Sequence, residues 1–128
     1  MCILLVEDEF LIRLIFAEEL AEAGYTVCEA ASGDHASALI ETSPPERFSL
    51  LVTDIHMPGA LSGVEVAKLL RARRADIPVV FMTGRPDLFV GTAFTNSNTI
   101  LMPKPFGAAA LLAAVRRLLT ASTAPPAL

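Results

Sequence analysis

Short blocks of apolar residues, rich in Val, Ile and Leu, recur along the chain and are separated by longer segments of mixed polarity. Apolar runs of this length between polar segments predict buried β-strands. The longer segments between them have the spacing and end signals of helices. The predicted strands are Cys2–Val6, Tyr25–Glu29, Ser49–Thr53, Pro78–Met82 and Thr99–Met102.

Helical periodicity is clearest at 9–23, where apolar residues recur on one face from Ile12 to Leu20 and Gly24 supplies a stop. Segment 87–97 mixes glycine, threonine, asparagine and β-branched residues, which predicts a short or mobile helix. The other helices are predicted near 34–42, 63–74 and 108–120.

The alternation of strands and helices predicts an α/β fold in which a parallel sheet is covered by helices on both faces. Residues 1–120 form a single predicted domain, and the small, proline-rich tail 121–128 is predicted to be disordered. Ligands of such folds bind at the carboxyl ends of the strands. The chemistry of the chain is therefore expected at that edge of the sheet.

Composition narrows the class of protein. Hydrophobic residues make up 53% and charged residues 19% of the chain, which favours a compact domain over a disordered one. The net charge of −4, with scattered basic residues, argues against direct binding of nucleic acid. Cys2 and Cys28 are too few for a disulfide framework or a four-ligand zinc site and suit a reducing compartment, so we expect a cytoplasmic protein. No apolar stretch approaches the roughly 18 residues of a membrane span.

Polar residues with complementary chemistry follow four of the predicted strands. Asp8 ends the first, Asp54 the third and Thr83 the fourth, and Lys104 follows the fifth. Converging carboxylates make an oxygen-rich site suited to Mg²⁺. A lysine and a hydroxyl beside them complete the groups that phosphoryl transfer needs, and a carboxylate nucleophile in such a set forms an aspartyl phosphate.

Each of these residues also has an ordinary structural interpretation. Asp8 or Thr83 could cap a helix, Asp54 could open a turn, and Lys104 could be a surface lysine. These interpretations are plausible singly but poor jointly, because all four residues lie at one edge. Glu9 is interpreted as a solvated first-turn residue and left out of the site.

Four motifs together resemble the receiver (response regulator) domain of two-component signalling. They are "LLVEDE" at 4–9, "VTDIHMPG" at 52–59, "FMTG" at 81–84 and "PKPF" at 103–106. The resemblance spans residues 2–120. It implies a flavodoxin-like (βα)5 fold, a doubly wound five-stranded parallel sheet with strand order 2-1-3-4-5.

The resemblance also implies roles for individual residues. It implies that Asp54 is the phosphoacceptor and that the Lys104–Pro105 peptide bond is cis. The implied Mg²⁺ ligands are Glu7, Asp8, Asp54 and the backbone carbonyl of His56. Thr83 and Lys104 are implied to bind the phosphoryl group.

Position 101 departs from the family pattern. The family usually carries Tyr or Phe three residues before the lysine, and this chain has Leu101. Signalling by an inward swing of an aromatic ring is therefore not expected, and the output would run through Thr83, Gly84 and the predicted helix 87–97. His56 and Arg85 occupy the positions that flank the path of attacking water in the family, so they are expected to set the phosphoryl lifetime.

An apolar patch on the first helix lies beside its core-facing stripe. Leu11, Leu14 and Ile15 form this patch, and Pro105 and Phe106 lie near the same edge. A spare apolar patch beside a reactive group suggests partner docking, and in receivers this region resembles the face that meets the histidine kinase or phosphotransferase. A wide core stripe is the alternative interpretation for Ile15.

The sequence therefore predicts a stand-alone receiver that accepts a phosphoryl group from a histidine kinase or histidine phosphotransferase onto Asp54 with Mg²⁺. It would catalyse only its own phosphorylation and dephosphorylation, and would signal by altered binding to another protein. Whether phosphorylation drives formation of a homodimer stays open. A receiver that regulates without phosphorylation is one alternative. A phosphatase of the haloacid-dehalogenase type is another, although that class carries D-x-D after its first strand.

Overall fold

A five-stranded parallel sheet forms the centre of the computed structural model, which describes residues 1–85 and 98–123, with side chains as far as residue 120. Its strands are β1 (Cys2–Val6), β2 (Val27–Ala30), β3 (Phe48–Asp54), β4 (Val79–Thr83) and β5 (Thr99–Pro103). The strand order is β2-β1-β3-β4-β5, and every neighbouring pair is parallel. The predicted strand order is therefore confirmed.

Helices cover both faces of the sheet. They are α1 (Phe10–Glu22), α2 (Gly33–Glu41), α3 (Gly63–Arg73) and α4 (Ala108–Thr123), and a single 3-10 turn, Pro45–Arg47, precedes β3. The central strands are buried on both sides, which explains their continuous apolar runs.

Successive residues of β1 divide the core into two parts. Leu4 and Val6 pack toward α2 and α3, whereas Ile3 and Leu5 pack toward α1 and α4. Side chains alternate across a strand, so one apolar run supplies both cores. Each helical layer thus has its own core, and the sheet separates them.

Element boundaries differ from the sequence prediction in a few places. β2 begins at Val27 rather than Tyr25, because the Tyr25 amide donates to the Leu20 carbonyl at 3.1 Å and completes the end of α1. The last helix continues to Thr123, three residues beyond the predicted end at Thr120. The predicted helix at 87–97 and the end of the predicted tail lie outside the described residues. Among the residues described, no helix has the length and hydropathy needed to span a membrane.

Candidate functional site

Three acidic side chains meet at the carboxyl edge of the sheet. Glu7 and Asp8 directly follow β1, and Asp54 is the last residue of the neighbouring strand β3. One carboxylate oxygen from each of the three lies within 4.8 Å of the others. We call these three residues the acid cluster.

Lys104 is the cation of this site. Its Nζ donates hydrogen bonds to Asp54 Oδ2 at 2.8 Å and to Glu7 Oε1 at 3.2 Å. Burial lowers the pKa of Lys104, but the hydrogen bond and the charge of Asp54, with those of Glu7, outweigh it and raise the pKa above its usual value. Lys104 therefore stays charged and neutralises part of the acid cluster.

Glu7 is the most confined member of the acid cluster. Its side chain is fully buried, and its Oε2 atom has no hydrogen-bond partner among residues 1–85 and 98–123. Burial, followed by the charge of Asp54, raises the pKa of Glu7 to about 7, although Lys104 opposes the shift. A buried carboxylate oxygen without a partner is costly unless a cation or a proton satisfies it.

The donor set fits a small divalent cation. Mg²⁺ is bound by one or two carboxylates together with water and phosphate oxygens, and the acid cluster supplies such carboxylates with one oxygen still unpartnered. His56 lies beside the cluster, because its backbone amide donates to Asp54 Oδ1 at 3.3 Å while its side chain is exposed. The carbonyl of His56 as a ligand stays a prediction.

Asp8 is not the capping residue of α1. The helix begins at Phe10 with Glu9 in the N-cap position, and no side-chain cap bond is formed there within the described part of the chain. Asp8 is half-buried and belongs to the acid cluster instead. Glu9 is exposed, in agreement with its interpretation as a solvated residue at the start of the helix.

Gly63 fixes the position of Asp54, a role that the sequence prediction missed. A Cβ atom built at Gly63 would lie 2.0 Å from the carbonyl oxygen of Asp54, which is far inside van der Waals contact. The Gly63 amide donates to Ile55 O at 3.0 Å, and the Thr53 hydroxyl donates to Asp54 O at 2.9 Å. The start of α3 therefore packs directly against the backbone of Asp54, and only glycine permits that approach.

Arg13 of α1 supports the other end of the acid cluster. Its Nη1 donates to the backbone carbonyl of Glu7 at 2.8 Å, and its Nε pairs with Glu29 of β2 at 3.3 Å. The guanidinium also lies 5.5 Å from the centroid of the Phe10 ring. The sequence shows Arg13 only as a lone arginine in an otherwise apolar first half of α1 and does not specify this contact.

Thr83 and Arg85 lie at the end of β4. The Thr83 side chain is fully buried, and its Oγ1 accepts a hydrogen bond from the Arg85 amide at 2.9 Å. Gly84 and Arg85 are exposed. Leu101 is paired with Phe81 across β4 and β5 and is half-buried against the core beneath α2 and α3.

The apolar patch predicted on α1 is solvent-exposed. Leu11 is 69%, Leu14 36% and Ile15 53% exposed, so the core-stripe interpretation of Ile15 is wrong. A pocket of about 310 Å³ adjoins the patch, and the Phe16 and Phe106 rings stack inside its wall with centroids 5.5 Å apart. We call this cavity the Phe106 pocket; its lining includes Ile12, Ile15, Phe16, Lys104, Pro105 and Phe106. The Lys104–Pro105 peptide bond at its rim is cis, as the resemblance implies.

Comparison with known proteins identifies the family. The model of the response regulator receiver domain matches residues 3–116. The transcriptional regulatory protein FixJ of Azorhizobium caulinodans is 35% identical over 112 residues, which are 87% of this chain and 51% of FixJ. The sensor kinase CckA of Brucella abortus is 34% identical over 118 residues, 91% of this chain and 12% of CckA. The chain thus spans about half the length of FixJ and a small part of CckA.

Solved structures give the same result. A response regulator receiver protein from Sinorhizobium medicae is similar with a TM-score of 0.84 and 30% identity, covering 94% of this chain and 95% of that one. The response regulator TrrA from Thermotoga maritima, solved in complex with Mg²⁺ and BeF, has a TM-score of 0.77 and 31% identity, covering 93% of this chain and 100% of that one. The family model, the relatives and the fold agree, and the chain belongs to the response regulator receiver domain family, the signalling domains of two-component systems.

Proposed function

We propose that the chain accepts a phosphoryl group on Asp54, with Mg²⁺ held by the acid cluster and the carbonyl of His56. The observation that carries this proposal is the convergence of one carboxylate oxygen each from Glu7, Asp8 and Asp54 within 4.8 Å of one another. The Nζ atom of Lys104 lies 2.8 Å from Asp54 Oδ2 beside them. A divalent cation bound there supplies charge neutralisation for the phosphoryl oxygens.

The groups around Asp54 fit the role of a nucleophile. Its side chain is only 8% exposed, and its two oxygens are oriented by the His56 amide and by Lys104. In the proposed step an Asp54 oxygen bonds to phosphorus while the P–N bond of a phosphohistidine donor breaks and its imidazole nitrogen takes up a proton. Such orientation lowers the entropic cost of reaching the reactive geometry.

Two residues are proposed to bind the transferred group. Lys104 exchanges its contact with Asp54 for the phosphoryl oxygens, since an ammonium group is a point charge that pairs readily with phosphate. The Thr83 oxygen already accepts a hydrogen bond from Arg85, so its hydroxyl proton is available to a phosphoryl oxygen. His56 and Arg85, both exposed beside the site, are proposed to control the approach of water and hence the phosphoryl lifetime.

The proposed donor is a histidine kinase or histidine phosphotransferase that docks on the Phe106 pocket and the adjoining patch of Leu11, Leu14 and Ile15. These side chains are exposed apolar surface beside the acid cluster, which supports a protein partner there. The proposed output is altered binding to a downstream protein or to a second copy, transmitted from Thr83 and Gly84, because Leu101 has no aromatic ring to move.

Intact-mass measurement tests the phosphoacceptor. The protein is incubated with acetyl phosphate and Mg²⁺, and we expect one added phosphoryl group per chain, none with EDTA and none in D54N. The matched control is D76N, which removes an exposed aspartate that is distant in sequence and pairs only loosely with Arg74 at 3.9 Å. An unmodified wild-type chain contradicts the proposal and favours a receiver that regulates without phosphorylation. An adduct that persists in D54N contradicts the assignment of Asp54 as the phosphoacceptor.

A further inference from the structure

The Phe106 pocket and the acid cluster are joined through Lys104. This residue lines the pocket, and its Nζ atom lies 2.8 Å from Asp54 Oδ2. Lysine commonly packs its aliphatic stem against apolar surface while its ammonium group meets polar partners. A small molecule whose phosphoryl group contacts Lys104 at the acid cluster therefore has the pocket within reach of its other end.

The rest of the pocket wall is apolar. Among the described residues that line it, Lys104 alone has a side chain with a polar group. The Phe16 and Phe106 rings stack with 9° between their planes, and Phe16 is only 7% exposed, so this part of the wall is fixed before any ligand binds. The aliphatic lining side chains are those of Ile12, Ile15, Pro105 and Ala108.

The volume of the pocket suits a short hydrocarbon group. It measures about 310 Å³, whereas an apolar cavity of roughly 150 Å³ is enough to bind benzene. A hydrocarbon chain of a few carbon atoms therefore fits without displacing any part of the wall. The single methyl group of acetyl phosphate is too short to use more than the edge of this space.

The lining also selects the chemistry of the occupant. A hydroxyl or charged group in the pocket would lose its hydrogen bonds to water, and the one polar side chain described there already bonds to Asp54 and Glu7. Sugar phosphates and nucleotides are disfavoured for this reason. An acyl phosphate instead joins a reactive phosphoryl group to a chain that is pure hydrocarbon beyond its carbonyl.

We propose that the Phe106 pocket is a leaving-group subsite for acyl phosphates that carry a short hydrocarbon chain, such as butyryl phosphate. The proposal rests on the phosphorylation of Asp54 proposed above and adds the class of small molecule that donates the phosphoryl group. The phosphoryl oxygens contact Lys104, and the chain occupies the pocket. A protein donor docked on the same pocket excludes such a molecule, so the two kinds of donor compete.

The proposed transfer is a single displacement at phosphorus. One Asp54 carboxylate oxygen forms a bond to phosphorus while the bond between phosphorus and the acyl oxygen breaks. The electron pair of the broken bond leaves with the carboxylate, so the step needs no proton, oxidant or reductant. With butyryl phosphate the products are the aspartyl phosphate and butyrate.

The rates of labelling by butyryl phosphate and by acetyl phosphate test the subsite. Butyrate and acetate are almost equally basic leaving groups, so a difference in rate reports contacts of the chain and not the strength of the bond that breaks. Burial of the additional methylene groups should raise the second-order rate constant of the wild-type chain about tenfold at donor concentrations well below saturation. Intact mass measures both rates in the presence of Mg²⁺.

Substitutions in the pocket locate this preference. Ile15→Ser removes apolar wall and Ala108→Leu fills part of the space, and each is expected to lower the butyryl-to-acetyl ratio of rates to about threefold or less. The ratio cancels any loss of folded protein or of Asp54 reactivity, because both donors are affected alike. The matched control Leu69→Ser removes an exposed apolar side chain from α3, on the other face of the sheet, and should keep the full ratio.

The outcomes separate the subsite from the proposed function. Equal rates with the two donors in the wild-type chain, or a ratio that is unchanged in both Ile15→Ser and Ala108→Leu, overturn the subsite and leave phosphorylation of Asp54 standing. Labelling by neither donor overturns the proposed function and the subsite together.

Discussion

The two helical layers that cover the sheet are built differently. α2 begins with Ser32, whose Oγ accepts the His35 amide at 3.0 Å, and α3 begins with a capping box between Ser62 and Glu65. α1 on the other face begins at Phe10 and, among the described residues, has no side-chain cap. Side-chain caps satisfy backbone amides that a helix start otherwise leaves open to solvent.

The solvent-facing surfaces of the two layers also differ, in how much apolar side chain they expose. α1 exposes Phe10, Leu11, Leu14 and Ile15 beside the Phe106 pocket, whereas the large apolar side chain exposed on α3 is Leu69 at 37%. On the α3 side, Gly63 lets the helix approach the backbone of Asp54 closely. The capped and tightly packed layer therefore fixes the proposed phosphoacceptor, and the layer with spare apolar surface borders the proposed docking site.

The close approach at Gly63 gives the largest expected effect. Gly63→Ala places a methyl group 2.0 Å from Asp54 O, so α3 or the end of β3 must move, and we expect the free energy of unfolding to fall by about 3 kcal/mol. Urea denaturation followed by circular dichroism measures it. The control Gly107→Ala, before α4, meets nothing within 4 Å in the described structure and should cost at most about 1 kcal/mol. Equal losses of unfolding free energy in the two variants would contradict the conclusion that the α3 layer packs more tightly at its helix start than the α4 side.

The acid cluster between the layers gives a pH-dependent effect. Glu7 has a folded-state pKa of about 7 against an ordinary 4.5, so the folded chain binds more protons than the unfolded chain between these values. When EDTA keeps divalent cations away, the contribution of Glu7 to the free energy of unfolding is fully present below pH 4.5. It is lost as the pH rises through 7.

Glu7→Gln removes that loss. We expect the variant to match the wild type near pH 4 and to be more stable at pH 8 by up to about 3 kcal/mol. Thermal or urea unfolding across this pH range measures the difference. A Gln variant that is less stable than the wild type at pH 8 would show that Glu7 is ionised and well compensated by Lys104 alone.

Substitutions at the helix starts should change the free energy of unfolding less, and they compare the two layers directly. Ser62→Ala removes the side-chain acceptor for the Glu65 amide and should lower the free energy of unfolding by about 1 kcal/mol. Glu9→Ala, at the equivalent position of α1, removes no cap bond known in the described structure and should cost less than about 0.5 kcal/mol. Chemical denaturation of both variants under the same conditions checks this order, and a reversed order would contradict it.

The exposed patch on α1 gives the smallest effect on stability. Ile15→Lys changes a side chain that is 53% exposed and should alter the free energy of unfolding by less than about 0.5 kcal/mol. Phosphoryl transfer from a phosphorylated histidine phosphotransferase should nevertheless fall about tenfold, since the buried centre of an interface carries most binding energy.

Two controls separate docking from chemistry in the Ile15 variant. Labelling by acetyl phosphate, which needs no protein partner, should stay unchanged. Leu69→Lys on α3 should leave protein-donated transfer unchanged. Equal effects of the Ile15 and Leu69 substitutions would place the docking surface elsewhere.

Most of the fold could be predicted from the sequence, because strands and helices follow from local patterns of apolar residues and their arrangement follows from the order of these elements. Apolar blocks separated by helical segments sufficed for a parallel sheet with two helical layers, and the strand order followed from the resemblance. The start of β2 was missed because Tyr25 is used to end α1, which is a tertiary contact and not a property of the apolar run.

The candidate site was predictable to the extent that strand ends determine it. Asp54 and Lys104 reach the same edge because parallel strands all end there. The contacts of Arg13 with the Glu7 carbonyl and of Gly63 with the backbone of Asp54 join elements whose separation in space depends on packing. No pattern in the sequence specifies those distances, so the supporting residues emerged only from the structure.

Borohydride reduction tests the central claim, phosphorylation of Asp54, most directly. Borohydride converts an aspartyl phosphate into homoserine, which tandem mass spectrometry locates in a peptide. After treatment with acetyl phosphate and Mg²⁺, we predict homoserine at position 54 and unmodified aspartate at position 8. Homoserine at Asp8, or at no aspartate of a chain that carries an added phosphoryl group, would contradict the assignment.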